Sequence, residues 1–218
     1  MSIFNNIFGK NNNVDNYIQY YDKALSGIQC KSLIDCFESS EAFQVPGGHY
    51  HGSEKLIAPE VKESTEIYIS PEFGEDKVWG PCLKPVLIAL SDSMKKYVKR
   101  YSLYDGEDLD NLRGAAGLDG ISQWGMEPNF NFQRFKPNQG YKKWHCETSN
   151  VESSPRVLVW MIYLNDVPDG GTDFLNNDTM EAIEGRLVIW PPYWTHFHKS
   201  QVSKKTTKYI LTGWFRYL

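Results

Sequence analysis

The chain has 218 residues, 41% hydrophobic and 23% charged, with a formal net charge of −4. That is ordinary globular composition, with room for one large domain or two small ones. The acidic balance argues against a general nucleic-acid or anionic-membrane binder, whose footprint is basic.

Residues 1–13 are Asn-rich and polar after "IFNNIF", and are expected to be a mobile leader before a single domain over 14–218. The start lacks the basic residues and apolar stretch of a signal peptide. No run approaches the ~18–20 apolar residues that span a bilayer. Cys30, Cys36, Cys82 and Cys146 show no CxxC pairing. They are expected to be reduced thiols in a cytoplasmic protein.

"YIQYYDKALS" (17–26) alternates loosely and reads as a start with a strand. Ser26 can cap the helix "GIQCKSLIDCFESS", whose Ile28, Leu33, Ile34 and Phe37 share a face. "KPVLIALSDSMKKYVKRYSLY" (84–104) is the clearest helix, with Pro85 suited to a first turn. Val86, Leu87, Leu90, Met94, Tyr97, Val98 and Tyr101 form one stripe, with Lys95, Lys96, Lys99 and Arg100 facing water. Such a stripe packs on a sheet. After about residue 122 the pattern becomes short aromatic and β-branched runs split by "PNQG", "VPDGG" and "EGR". Many short strands without helices between them predict an antiparallel sandwich or barrel. The expected organisation is α+β, with a helical lead-in over 14–121 and a β core over 122–218.

His145 and Glu147 in "YKKWHCE" are spaced i, i+2, which puts them on one face if the segment is extended. An imidazole beside a carboxylate is half of a metal site, and "THFHKSQV" (195–202) offers two more histidines. Two His and one carboxylate on one face of an octahedron form the facial triad of non-haem Fe(II) oxygenases; zinc takes the same ligands. An HxE by itself matches by accident.

Four segments in order resemble the double-stranded β-helix (jelly-roll, cupin-like) core of the Fe(II)/2-oxoglutarate dioxygenases, in the prolyl 4-hydroxylase-like branch. They are "RFKPNQGYKKWHCE", "RVLVWMIYLNDVPDGGTDFL", "GRLVIWPPYWTHFHKSQV" and "TKYILTGWF", and "ALSGIQCKSLIDCFE" is similar to the family's lead-in. The resemblance implies N-terminal helices packed on one sheet. It implies His145, Glu147 and a distal histidine as iron ligands, with 2-oxoglutarate and O2 as co-substrates and ascorbate supportive. Lys208 stands where the family places the cation for the far carboxylate of 2-oxoglutarate. Tyr163 matches a tyrosine that donates a hydrogen bond to that carboxylate, and is equally readable as a core aromatic. The family spacing from distal histidine to cation favours His198, at 208 − 198 = 10. His196 is the alternative ligand, or a residue behind the ligands or on the substrate side. On a strand, the two would point the same way.

The chain departs from the family in three places. Glu147 replaces the usual Asp, Phe135 replaces a Tyr, and "GGTDFL" is one residue short. The implied reaction is hydroxylation of an unactivated C–H bond with release of succinate and CO2. Halogenating relatives lack the carboxylate that Glu147 supplies. The substrate is expected to be a peptide or small molecule, not nucleic acid or membrane. Trp124, Trp144 and Trp194 lie near the motifs and can line a cleft, although packing is the simpler reading. Two rival readings are a non-catalytic binding barrel and a cupin-like metalloenzyme that does not use 2-oxoglutarate.

Overall fold

The computed structural model describes residues 16–51, 54–101, 124–175 and 178–217. The expected leader and the end of the 84–104 helix lie outside them. The lead-in holds strands β1 (Gln19–Tyr21), β2 (Val45–Pro46), β3 (His49–His51), β4 (Glu54–Leu56), β5 (Lys62–Glu63) and β6 (Thr65–Ile69). It also holds helices α1 (Gly27–Glu38), α2 (Pro71–Glu75) and α3 (Trp79–Tyr101). The second half is strand-built: β7 (Trp124–Met126), β8 (Phe130–Phe135), β9 (Gly140–Tyr141), β10 (Arg156–Tyr163) and β11 (Val167–Phe174). β12 (Thr179–Ala182), β13 (Leu187–Trp190), β14 (His198–Ser200) and β15 (Lys208–Tyr217) complete it.

An eight-stranded antiparallel sheet runs β1-β13-β10-β15-β8-β6-β2, with β7 also on β15. A three-stranded sheet, β12-β11-β14, faces it. β1 falls in the stretch read as a starting strand, whereas β2 and β6 correct the helical reading of the lead-in. These strands extend the large sheet at both ends, which the helix-period signal of the first hundred residues obscures.

Alternation along the central strands decides what faces the helices and what faces the barrel. On β10, Leu158, Trp160 and Ile162 join Leu33, Phe37, Val86 and Leu90 of α1 and α3 in one buried cluster. Val159, Met161 and Tyr163 point the other way, into a second cluster with Val188, Trp190, Phe174 and Ile210. β10 is buried on both faces, so it reads as an unbroken apolar run. Gly213 of β15 lies under the Trp160 ring, where a Cβ would come within 2.6 Å of it.

α1 starts as expected. Ser26 and Gln29 form a capping box. α3 starts earlier than expected, because the Asp76 carboxylate accepts from the N–H groups of Val78 and Trp79. Pro85 thus lies inside the helix rather than in its first turn. Val86, Leu90, Met94 and Tyr97 are buried, whereas Leu87 is exposed, so the packed stripe is narrower than the sequence suggests. Among the described residues, no helix is long and apolar enough to cross a membrane.

Candidate metal centre

His145 and His198 face each other across the barrel mouth. Each N–H bonds to the other's carbonyl, at 3.0 and 2.9 Å, in an isolated antiparallel bridge. Residues directly opposite in such a bridge project to the same side, so the two imidazoles meet with ring centres 4.3 Å apart. Glu147 is not on a strand. Its N–H and that of Thr148 both bond to the Pro192 carbonyl, at 2.9 and 3.0 Å, which tethers it to the "WPP" segment.

The Nδ1 atoms of His145 and His198 meet backbone carbonyls, Lys143 O and His196 O, each at 3.0 Å. This leaves both Nε2 atoms to converge on Glu147 Oε1, at 3.6 and 3.3 Å. Ring orientation fixed through the far nitrogen is what a metal-binding histidine needs. One ligand-capable atom from each of the three residues lies within 4.8 Å of the others. Burial, with His198 beside it, holds His145 below the usual imidazole range. Burial opposes ionisation of Glu147, but its contacts with the two histidines outweigh it and hold the carboxyl well below its ordinary range. Neutral imidazole and ionised carboxylate are the forms that bind metal.

Neighbours brace the cluster. Tyr141 stacks on His145 with ring centres 3.5 Å apart and planes 10° apart. Trp190 meets His198 edge-on at 5.2 Å. The Trp214 indole donates to Glu147 Oε2 at 3.1 Å. Arg156 lies over the Trp214 ring at 3.6 Å and donates to the Glu147 carbonyl at 2.8 Å. The Trp214 and Arg156 contacts hold Glu147 with Oε1 toward the imidazoles.

The cluster lines a cavity of about 500 Å³. Lys208 also lines it, on β15 in phase with Ile210, Thr212, Trp214 and Arg216. Lys208 is 3% exposed. Its ammonium donates to Gly170 O and Ser200 Oγ, both at 2.6 Å, and to Gln201 O at 3.3 Å. Burial pushes its pKa down to about 7.

Residues 130–216 match the family model described as the 2OG-Fe(II) oxygenase superfamily. Over those residues the chain is similar to the 2OG-Fe(II) oxygenases. Its fold is similar to a Pseudomonas putida prolyl-4-hydroxylase (TM-score 0.63, 14% identity, 94% of each chain covered). It is also similar to a viral collagen prolyl hydroxylase from Paramecium Bursaria Chlorella virus-1 in its 2OG complex. That match has TM-score 0.61 and 16% identity, covering 94% of this chain and 98% of that one. A third likeness is to a Trichoplax adhaerens prolyl hydroxylase in complex with a hypoxia-inducible factor oxygen degradation domain peptide. It has TM-score 0.69 and 13% identity, over 93% of this chain and 84% of that one. At these identities the likeness is one of fold. No curated protein matches the sequence.

The superfamily that this region matches uses Fe(II), 2-oxoglutarate and O2. The donor set fits the iron, since two imidazoles and a carboxylate leave positions open for a keto acid and O2. His196 falls elsewhere. It ends a short 3₁₀ turn, Trp194–His196, rather than sharing a strand with His198. Its Nε2 meets the Asn16 carbonyl at 2.7 Å and its Nδ1 the Thr195 hydroxyl at 2.8 Å. The turn breaks the two-residue alternation that would have aimed both side chains alike. The His196 carbonyl meets His198 Nδ1 at 3.0 Å.

Tyr163 is fully buried and does not line the cavity. Its hydroxyl meets Thr172 Oγ1 at 2.7 Å, and Thr172 faces the cavity. Trp124, Trp144 and Trp194 also stay out of the cavity, whose tryptophans are Trp190 and Trp214. The sequence reading missed Trp214, Arg156 and Ser200. Even spacing from Lys208 along β15 would have found Trp214. Arg156 and Ser200 carry no such signal. Lys62, Glu66 and Tyr68 of the lead-in were also missed, although they form part of the cavity wall.

Proposed function

We propose that His145, Glu147 and His198 hold Fe(II), that Lys208 anchors 2-oxoglutarate, and that the chain hydroxylates a prolyl residue of a peptide. On this reading residues 14–218 act as one domain. The observation that carries it is the single cavity in which the His–Glu–His cluster and a buried, desolvated lysine meet. Bound iron with 2-oxoglutarate and O2 supplies oxidative decarboxylation to succinate and CO2 and the power to hydroxylate a C–H bond. The protein supplies position and a dry pocket.

Lys208 offers the cation in the cavity wall, Ser200 offers a hydroxyl in contact with it, and Thr172 adds a second hydroxyl to the lining. Phe135 takes the place of the family tyrosine and contributes an apolar wall 5.3 Å from the ammonium. Trp214 and Arg156 hold the carboxylate ligand in place. The peptide substrate is supported by the Trichoplax relative, which has a peptide bound.

The test is succinate release from 2-oxoglutarate with Fe(II) and ascorbate, with and without proline-containing peptides. Peptide-stimulated succinate and a peptide gaining one oxygen are expected. No turnover, coupled or uncoupled, by chain with confirmed bound iron would sink the enzyme reading. A cupin-like enzyme that does not use 2-oxoglutarate would keep its activity in Lys208→Ala.

A further inference from the structure

Cys36 lies in the last turn of α1 and Cys82 in the first turn of α3, far from the metal cluster in the fold. Their Sγ atoms are 2.9 Å apart. That is inside the contact distance of two non-bonded sulfurs and approaches the ~2.05 Å of a covalent bond. Each sulfur also sits over the other's helix region, Cys36 Sγ 3.9 Å from Val78 O and Cys82 Sγ 3.9 Å from Ser32 O. The Sγ–Sγ contact is thus the shortest that either thiol makes. Cys36 is buried and Cys82 partly exposed, which gives one thiol access to solvent and the other shelter.

We propose that Cys36 and Cys82 are a modification site, forming a reversible disulfide that staples α1 to α3 behind the large sheet. The oxidant is a low-molecular-weight disulfide such as glutathione disulfide. Cys82 Sγ, as thiolate, attacks one glutathione sulfur, forming a protein–glutathione bond and releasing one glutathione. Cys36 Sγ then attacks Cys82 Sγ and expels the second glutathione. Two protein thiols are oxidised, one glutathione disulfide is reduced, and the two thiol protons go to the two departing glutathiones. Burial, with Cys82 beside it, pushes the Cys36 thiol up to about 12. Cys36 is thus a poor first attacker, and serves as the resolving thiol only because its target is already in contact. The bond would close a loop holding Lys62, Glu66 and Tyr68, the lead-in part of the cavity wall.

The test uses the full chain, reduced and then equilibrated with glutathione disulfide. Two of the four thiols should disappear with no glutathione retained, leaving one cross-linked peptide pair containing residues 36 and 82. Cys36→Ser under the same conditions should hold one glutathione on Cys82. Oxidised wild type should melt roughly 8–16 °C above the reduced chain, as a loop of this length implies. Cys36→Ser should show no such shift. A wild-type chain that keeps all four thiols, or that stops at the glutathione adduct, overturns the proposal. Neither readout depends on iron, so the result stands apart from the catalytic reading.

Discussion

Replacing Lys208 by alanine is the sharpest probe of the cavity. The ammonium is buried at the cavity wall and donates to three oxygens within 3.3 Å. A ligand carboxylate placed there would be desolvated, and removing the cation from such a pair costs about 2–5 kcal/mol. Ser200 and Thr172 remain to donate, which puts the loss near the middle, about 3 kcal/mol. At about 1.36 kcal/mol per decade, that is a roughly 150-fold rise in the Kd of 2-oxoglutarate. Lys208→Arg keeps the charge and should recover part of it. The assay is 2-oxoglutarate titration of the Mn(II)-loaded chain, alongside the KM for succinate formation. Metal affinity should not change, since Lys208 touches none of the cluster. A Kd in Lys208→Ala within about threefold of wild type would refute the anchoring role.

The remaining predictions concern pH and the cluster. Lys208 has a folded pKa of about 7, against about 10.4 in the unfolded chain. Between those values the unfolded chain binds more protons, so stability rises with pH there, by up to ~1.4 kcal/mol per unit. Wild type should therefore gain stability relative to Lys208→Met from pH 7 to 9 in denaturant melts; a flat difference would contradict this. For the same reason, 2-oxoglutarate binding at pH 8 should take up nearly one proton, measured by calorimetry in buffers of different ionisation enthalpy. Trp214→Phe removes the indole donor to Glu147 Oε2 and should weaken Mn(II) binding about tenfold by electron paramagnetic resonance. A change under twofold would show that the indole does not hold the carboxylate. His198→Ala should abolish Mn(II) binding while His196→Ala leaves it within a few fold; the reverse pattern would exchange their roles.

Much of this molecule is written in local pattern. The run "RVLVWMIYLN" shows a doubly buried central strand, because its residues feed two cores in alternation. Ser26 and Gln29 announce the start of α1. The ordered segments from 133 to 215 carry the family and its fold, and the family match covers 130–216. Lys208 was legible through the family resemblance, which puts a cation at that position, and the structure buries it.

What the sequence could not supply depends on contacts between distant segments. The separation of His196 from His198 follows from one 3₁₀ turn and a carbonyl of Asn16, some 180 residues away. The joining of β1 and β6 to the large sheet, the place of Tyr163 behind Thr172, and the Trp214–Glu147 hydrogen bond are likewise long-range. So is the meeting of Cys36 with Cys82. Periodicity and residue type determine which face a side chain takes within its own element. Only the packing of elements decides which faces meet, because that depends on register, turn geometry and the pairing of backbone groups far apart in the chain.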